Sequence, residues 1–287
     1  MSKLLTEHID ENGAKNCGQL ISVAERHGVD KAQLDAFRSA LKHEEAPPED
    51  HTAVTYQHID GVDLQLHVYP VKDTANLSPA FIWFHGGSWS TGHWSYCPVL
   101  CRALQKQGFV VIQAEYRTSK RFDGTPLDAL TDAYRAVDWT VEHASEFHID
   151  RKKIMTGGFS SGGALAAQMA VLNHKKVSAG AYISAATDPS KDSWYTSVVA
   201  NKRDPKQLSP LIMANALSSP QIFFHVKDDE MCAYQGAVDM SAKLSALGVQ
   251  NRLVTFEQGG HFFVFRSAED RQRIVTELQS FIKQIGW

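Results

Sequence analysis

The sequence has few cysteines and no long apolar run. Its 287 residues contain 4 cysteines without paired, zinc-like spacing. Since the chain is far larger than a disulfide-stapled scaffold, we expect free and mostly buried thiols. No apolar run approaches the roughly 20 residues that span a bilayer, and the opening residues lack the apolar core of about 7–15 residues found in a secretory signal. These absences predict a cytoplasmic protein without a membrane partner.

A strong excess of one charge is also missing. The net charge is −3 and the pI is about 6.5, and no basic stripe with interleaved aromatic residues is present, which argues against nucleic acid as a partner. The 13 histidines show no metal-ligand spacing such as H-E-x-x-H, and no G-x-x-x-x-G-K-[ST] phosphate loop occurs. We therefore predict neither a metal nor a cofactor.

Residues 1–50 differ from the rest of the chain. Apolar residues recur at helical intervals over 16–27 and 31–42, and 44–50 are typical of a stiff, charged linker. This segment is predicted to be a small N-terminal helical extension or cap. It could form a lid over the site, or it could pack on the body or on a partner subunit. Residues 51–287 are predicted to form one α/β domain.

Strand and helix patterns alternate from residue 53 onward. Continuous apolar runs such as 80–84 and 221–224 are typical of strands buried on both faces of a parallel sheet. In the segment 63–69, apolar and polar residues alternate instead. With Asp60-Gly61 before it, this alternation indicates an antiparallel hairpin at the sheet edge. We predict an α/β fold, a mostly parallel eight-stranded sheet flanked by helices. The predicted strands are 53–58, 63–69, 80–84, 109–115, 153–157, 178–184, 220–226 and 250–256.

Three regions outside these strands are informative. Thr125-Pro126 supplies a cap and a first-turn proline for one helix, and the last helix opens at 267–270. The polar stretch 187–215 interrupts the alternation. We expect it to cross the carboxyl edge of the sheet, where ligands bind in such folds.

Ser160 is the candidate nucleophile. It lies in Gly158-Phe159-Ser160-Ser161-Gly162, between a predicted strand and a helix. G-x-S-x-G in this context holds a serine on a sharp turn, so that its hydroxyl projects above the sheet. Ser161 does not have glycines at both −2 and +2, which favours Ser160. A plain glycine-rich turn stays open as an alternative on this motif alone.

The loop His85-Gly86-Gly87-Ser88-Trp89 follows the third predicted strand. A tetrahedral intermediate needs N–H donors aimed at one oxygen, and glycines let the backbone approach it closely. The N–H groups of Gly86, Gly87 and Ser161 are therefore the candidate oxyanion hole, and His85 is expected to orient the loop. Trp89, Trp94 and Phe159 are candidate walls of the substrate pocket, with simple core packing as the alternative.

An acid and a base should follow the serine in that chain order. His261 stands in a glycine turn just before the last helix and is the candidate general base. Three acids, Asp228, Asp229 and Glu230, follow the predicted strand 220–226. The spacing alone leaves the choice among them open.

Together these motifs resemble the bacterial esterase/lipase branch of the α/β-hydrolases, akin to hormone-sensitive lipases and acetyl esterases, over residues 53–285. In that branch an H-G-x-x-D pattern carries the acid, which here corresponds to His225-Val226-Lys227-Asp228-Asp229. The resemblance implies Asp229 as the acid of the triad, with Asp228 and Glu230 as solvated loop charges. Ser88 stands where the family has a third glycine, and Val226 stands where it has a glycine before the acid.

The resemblance implies a serine carboxylesterase that cleaves short-chain acyl esters of small molecules through an acyl-enzyme. Two other functions remain open. The HGG-x-W loop also occurs in kynurenine formamidase-like proteins, which points to an arylformamidase or another amidase. A non-enzymatic ligand-binding protein on a hydrolase fold is the third option, and a homodimer is compatible with all three.

Overall fold

In the computed structural model, the described residues are 24–25, 28–35, 51–59, 61–96, 99–265 and 267–287. Most of the predicted N-terminal helices and the whole linker at 44–50 lie outside the described residues, although 31–35 are helical. The predicted division after residue 50 stays a prediction. No helix among the described residues is long and apolar enough to cross a membrane.

One eight-stranded sheet forms the centre of the fold, as predicted. The strands are β1 (Thr52–Ile59), β2 (Val62–Tyr69), β3 (Ser78–Phe84), β4 (Val110–Ala114), β5 (Ile149–Phe159), β6 (Ala179–Ile183), β7 (Gln221–Val226) and β8 (Asn251–Phe256). Their order is β1-β2-β4-β3-β5-β6-β7-β8. Only β1–β2 and β2–β4 pair antiparallel, and the remaining neighbours pair parallel.

Helices cover both faces of this sheet. They are α1 (Val99–Gln105), α2 (Ser119–Phe122), α3 (Pro126–Glu142), α4 (Ser161–Leu172), α5 (Ser193–Val199), α6 (Pro210–Met213), α7 (Tyr234–Ala246) and α8 (Ala268–Gln284). The predicted start of α3 is confirmed, since Thr125 and Asp128 cap each other reciprocally and Pro126 opens the helix. Two buried apolar clusters pack against the sheet from its two sides.

The parallel strands bring distant segments to one edge. β3, β5, β6, β7 and β8 run in the same direction, so the segments after Phe84, Phe159, Val226 and Phe256 all emerge at their carboxyl ends. The stretch 187–215 connects β6 to β7 through short helical turns. All the motifs from the sequence therefore meet at this edge.

Candidate active site

Ser160 sits on a strained turn between β5 and α4. Its φ and ψ are 55° and −121°, a conformation that non-glycine residues rarely adopt. The turn closes tightly, because a Cβ on Gly158 would lie 2.3 Å from the Gly162 carbonyl carbon. A Cβ on Gly162 would lie 2.1 Å from the Phe84 carbonyl oxygen. Both glycines of the motif are thus required by the close approach of strand, helix and neighbouring β3.

The Ser160 hydroxyl faces the loop at 227–233 after β7, which contains the three acids and is called the acid loop here. Its Oγ lies 3.9 Å from the Cys232 Sγ and makes no hydrogen bond to His261 in this structure. Burial and the nearby Asp229 carboxylate raise the pKa of the Cys232 thiol, so this group is a neutral neighbour at pH 7. Neither the sequence motif nor the spacing pointed to Cys232.

Asp229 and His261 form a buried pair. Both carboxylate oxygens lie 3.0 Å from His261 Nδ1, and Asp229 and His261 are 8% and 1% exposed. The N–H groups of Met231 and Cys232 donate to Asp229 Oδ1 at 3.0 and 2.7 Å. Burial by itself raises the pKa of Asp229, but the charge of His261 and hydrogen bonds from both histidines lower it well below its usual range. The carboxylate is therefore ionised and fixes the proton of His261 on Nδ1.

A second imidazole contacts the same carboxylate. His225 Nε2 lies 3.1 Å from Asp229 Oδ2 and 2.7 Å from the Cys232 carbonyl oxygen. Because a carbonyl oxygen only accepts, Nε2 must carry the proton and donates to both oxygens. His225 marked the family pattern in the sequence, and its geometry shows that it also orients Asp229.

The acids on either side of Asp229 hold the turn that carries His261. Asp228 accepts hydrogen bonds from Gly259 and Gly260 at 3.1 and 2.9 Å, and Glu230 accepts one from the His261 N–H at 3.2 Å. Both residues are exposed, as expected of solvated loop charges. They also accept hydrogen bonds from the amides of the glycine turn, which the sequence did not predict, so three consecutive acids contact one turn.

The loop after β3 is also packed too closely to hold a side chain at Gly87. Gly87 has a φ of +138°, and a Cβ there would lie 2.0 Å from the Thr91 carbonyl oxygen. The amides of Gly86 and Gly87 donate to no acceptor among the described residues, and Ser161, as the first residue of α4, has an N–H without an intrahelical acceptor. These three N–H groups are available as donors.

His85 orients this loop rather than facing the serine. Its Nδ1 lies 2.9 Å from the Gly86 carbonyl oxygen, and its ring stacks on Tyr116 with centroids 4.2 Å apart. Burial lowers the pKa of His85 to about 3. The ring is therefore neutral at pH 7 and is a structural part of the loop.

A cavity of about 720 Å³ opens above Ser160 and Ser161. Trp89 lines it, together with Trp194, Met231 and Cys232. Trp94 and Phe159 do not line this cavity. Trp94 stacks on His67 at 3.6 Å, whereas Phe159 is 3% exposed and packs on Phe262 and Phe265. For these two residues the structure shows core packing, the alternative left open by the sequence.

No group of three or more histidine, cysteine or acidic side chains in the described part of the chain could hold a metal ion. Cys232 is a free thiol, and Cys101 is buried. The other two, Cys17 and Cys97, lie outside the described residues.

Several known proteins with similar sequences are lipases or esterases. A family model named BD-FAE matches residues 66–202. Lipase 2 of Moraxella sp. is 27% identical over 53% of this chain and 37% of that protein. The versiconal hemiacetal acetate esterase of Dothistroma septosporum is 30% identical over 49% of this chain and 42% of that protein. The chain thus spans less than half the length of these two curated relatives.

Solved structures match a larger share of the chain than these sequence relatives do. The butyrate-bound esterase Est2 of Thermogutta terrifontis is 25% identical, with a TM-score of 0.77, over 84% of this chain and 96% of that one. A second structure of that esterase is phosphoramylated by tabun and matches equally well, with a TM-score of 0.77.

Sheet order, the serine on its strained turn and the acid–base pair after β7 and β8 together define an α/β-hydrolase. The chain is similar to members of the esterase/lipase branch of that superfamily, as its sequence relatives and structural neighbours show.

Proposed function

We propose that this chain is a serine carboxylesterase that hydrolyses short-chain acyl esters with Ser160 as nucleophile, His261 as base and Asp229 as acid. One observation carries the proposal. A buried, ionised Asp229 holds His261 Nδ1 at 3.0 Å, at the same sheet edge as a serine on a strained turn beneath a cavity. This arrangement leaves Nε2 as the nitrogen that accepts a proton.

The reaction proceeds through an acyl-enzyme. The Ser160 hydroxyl rotates away from Cys232, gives its proton to His261 Nε2, and its oxygen bonds to the ester carbonyl carbon. The carbon–oxygen bond to the alcohol then breaks, and the leaving alcohol takes the proton from Nε2. Water repeats the sequence, releasing the carboxylic acid and the free serine. Asp229 stabilises the imidazolium that forms in both halves.

The amides of Gly86, Gly87 and Ser161 would stabilise the charged oxygen. Each has an N–H without an acceptor among the described residues. Gly86 and Gly87 lie on a loop that is packed so closely that a side chain at either position would clash with its neighbours. One donor of this kind contributes about 2.7–4 kcal/mol to the transition state. Because all three are backbone groups, they are fixed before substrate arrives.

The cavity supports a short acyl chain. Its wall mixes apolar side chains, among them Trp89, Trp194 and Met231, with polar ones such as Ser119, Thr187 and Asp192. A buried methylene contributes about 0.8 kcal/mol only when it leaves water for an apolar wall. A wall of mixed polarity therefore gives a long alkyl chain less binding energy than a wholly apolar wall would. The butyrate bound to the Thermogutta esterase is an acyl group of the size we propose.

Hydrolysis of p-nitrophenyl acetate and butyrate tests the proposal. We expect Ser160→Ala to remove nearly all release of p-nitrophenol. The adjacent Ser161→Ala should keep activity within about tenfold, because its backbone N–H, the group proposed to act, remains. Full activity of Ser160→Ala would refute the role of Ser160.

Two further measurements separate the alternatives. An organophosphonate should label Ser160 covalently, which a purely ligand-binding protein would not allow. N-formylkynurenine, assayed against an acetyl ester, distinguishes the arylformamidase, for which Trp89 on the cavity wall is the supporting feature. The cytoplasmic location and the homodimer stay predictions from the sequence.

A further inference from the structure

A glutamine from the N-terminal segment lies directly on the turn that carries His261. Gly260 has a φ of +63°, and a Cβ there would lie 2.0, 2.1 and 2.2 Å from the Oε1, Nε2 and Cδ atoms of Gln33. All three amide atoms are almost equally close to that point. The flat face of the Gln33 amide therefore covers the Cα of Gly260, the residue immediately before His261.

Gln33 is fixed in this position. Its backbone N–H and its Nε2 donate to the two carboxylate oxygens of Asp30, at 2.8 and 3.1 Å. This is the arrangement that starts a helical turn, here at 31–35. The side chain is 7% exposed, and its Oε1 has no hydrogen-bond partner among the described residues. Because Gln33 is buried and bonded to Asp30, the contact is not a loose surface association.

The rest of the segment packs on the residues that follow His261. Ala24, Val29 and Leu34 belong to the same buried cluster as Phe262 and Phe263, and they are 0%, 6% and 3% exposed. The aromatic residues after the base therefore share a core with the N-terminal segment. Removing that segment would expose them.

The same turn is also held by the acid loop. Asp228 binds the amides of Gly259 and Gly260, and Glu230 binds the amide of His261. The turn thus contacts two carboxylates as well as the Gln33 amide. Gly260 is held by its hydrogen bond to Asp228, and it cannot move toward Gln33 because the space is filled.

We propose that Gln33 is a positioning residue, which keeps His261 aligned with Ser160 by confining Gly260. The inference rests on the proposed role of His261 as the base. It gives the N-terminal segment a function that differs from a lid, because a lid would change which substrates enter, whereas Gln33 would act on the proton transfer itself. The expected signature is a loss of kcat with little change in KM.

The test compares Gln33→Ala, Gln33→Met and Gln221→Ala in the full-length protein with p-nitrophenyl acetate. Alanine removes the amide from Gly260, while methionine keeps a side chain of similar length over it. Gln221 is a matched control, since it is 0% exposed and its side-chain amide lacks hydrogen-bond partners among the described residues, but it is the first residue of β7, away from the carboxyl edge. Thermal melting of each variant monitors folding.

We expect kcat to fall about 10- to 100-fold in Gln33→Ala, the range associated with a misplacement of about 1 Å, with KM within about twofold. The rate at which a p-nitrophenyl phosphonate labels Ser160 should fall in parallel, and Gln33→Met should restore most of both rates. Gln221→Ala should leave kcat unchanged, whether or not its melting temperature falls.

Three outcomes would overturn the inference. The first is an unchanged kcat in folded Gln33→Ala, and the second is a change in KM without a change in kcat. The third is a fall in kcat equal to that of Gln221→Ala when the two variants lose the same amount of melting temperature. Failure of the wild-type protein to hydrolyse any ester or to be labelled at Ser160 would instead refute the proposed function. The two failures are therefore distinguishable.

Discussion

Replacing Asp229 by asparagine would test how the site sets the protonation of His261. In the structure Asp229 Oδ1 accepts the N–H groups of Met231 and Cys232. An asparagine oxygen would keep these two bonds. Its NH2 group would then occupy the position of Oδ2, which faces Nε2 of His225 and Nδ1 of His261.

The NH2 group would reverse the tautomer of the base. His225 must keep its proton on Nε2 to donate to the Cys232 carbonyl, so two donors would meet there. At His261, an amide donor facing Nδ1 favours the tautomer that is protonated on Nε2, which cannot accept the proton of Ser160. The same change in a serine protease triad lowers kcat about 10⁴-fold. At about 1.36 kcal/mol per tenfold, this corresponds to about 5.4 kcal/mol of transition-state stabilisation.

Initial rates with p-nitrophenyl acetate measure this loss, and Asp228→Asn is the matched control. Its carboxylate accepts hydrogen bonds from backbone amides of the His261 turn, and an asparagine oxygen can still accept from one of them. We expect a loss of about tenfold or less for Asp228→Asn. If Asp229→Asn kept more than about a tenth of the wild-type kcat, or if Asp228→Asn were the more damaging change, the assignment of the acid would be wrong.

Three further predictions concern stability and the cavity. Gly162→Ala should lower the free energy of unfolding by about 1–3 kcal/mol, because the new Cβ would meet the Phe84 carbonyl oxygen at 2.1 Å; an unchanged midpoint in chemical denaturation would contradict this close approach. The folded-state pKa of Asp229 is lowered, so its stabilising contribution is present above the unfolded-state pKa of about 3.9 and is lost as the pH falls toward the folded-state pKa. The difference in unfolding free energy between wild type and Asp229→Asn should accordingly shrink below about pH 4. Finally, kcat/KM should be higher for p-nitrophenyl butyrate than for the octanoate, and values that rise with chain length would count against the proposed short acyl chain.

Much of the fold could be predicted from local patterns. The run 80–84 was correctly predicted as a strand buried on both faces, since such a strand must be apolar throughout. The alternating segment 63–69 was correctly placed in an antiparallel hairpin at the sheet edge, although β2 itself pairs on both sides and its last four residues are buried. The strand before the serine was less well predicted. It was expected over 153–157 but runs from Ile149 to Phe159, because pairing with β3 extends it through charged and glycine residues that carry no strand signal.

For the site, the sequence determined which residue types stand at the ends of the strands. A parallel sheet places those ends at one edge, so Ser160, His261 and the loop at Gly86 could be brought together from their positions in the chain alone. The hydrogen-bonding partners could not be predicted in this way, because they depend on how loops that are far apart in sequence contact one another.

Only the tertiary structure decided the partners of each group. It placed Cys232 against the Ser160 hydroxyl, gave Asp228 and Glu230 the amides of the His261 turn, and laid Gln33 across Gly260. These contacts join segments separated by between about 30 and more than 200 residues. No local periodicity or spacing encodes such contacts, since their geometry is fixed by the packing of the whole core around the sheet edge.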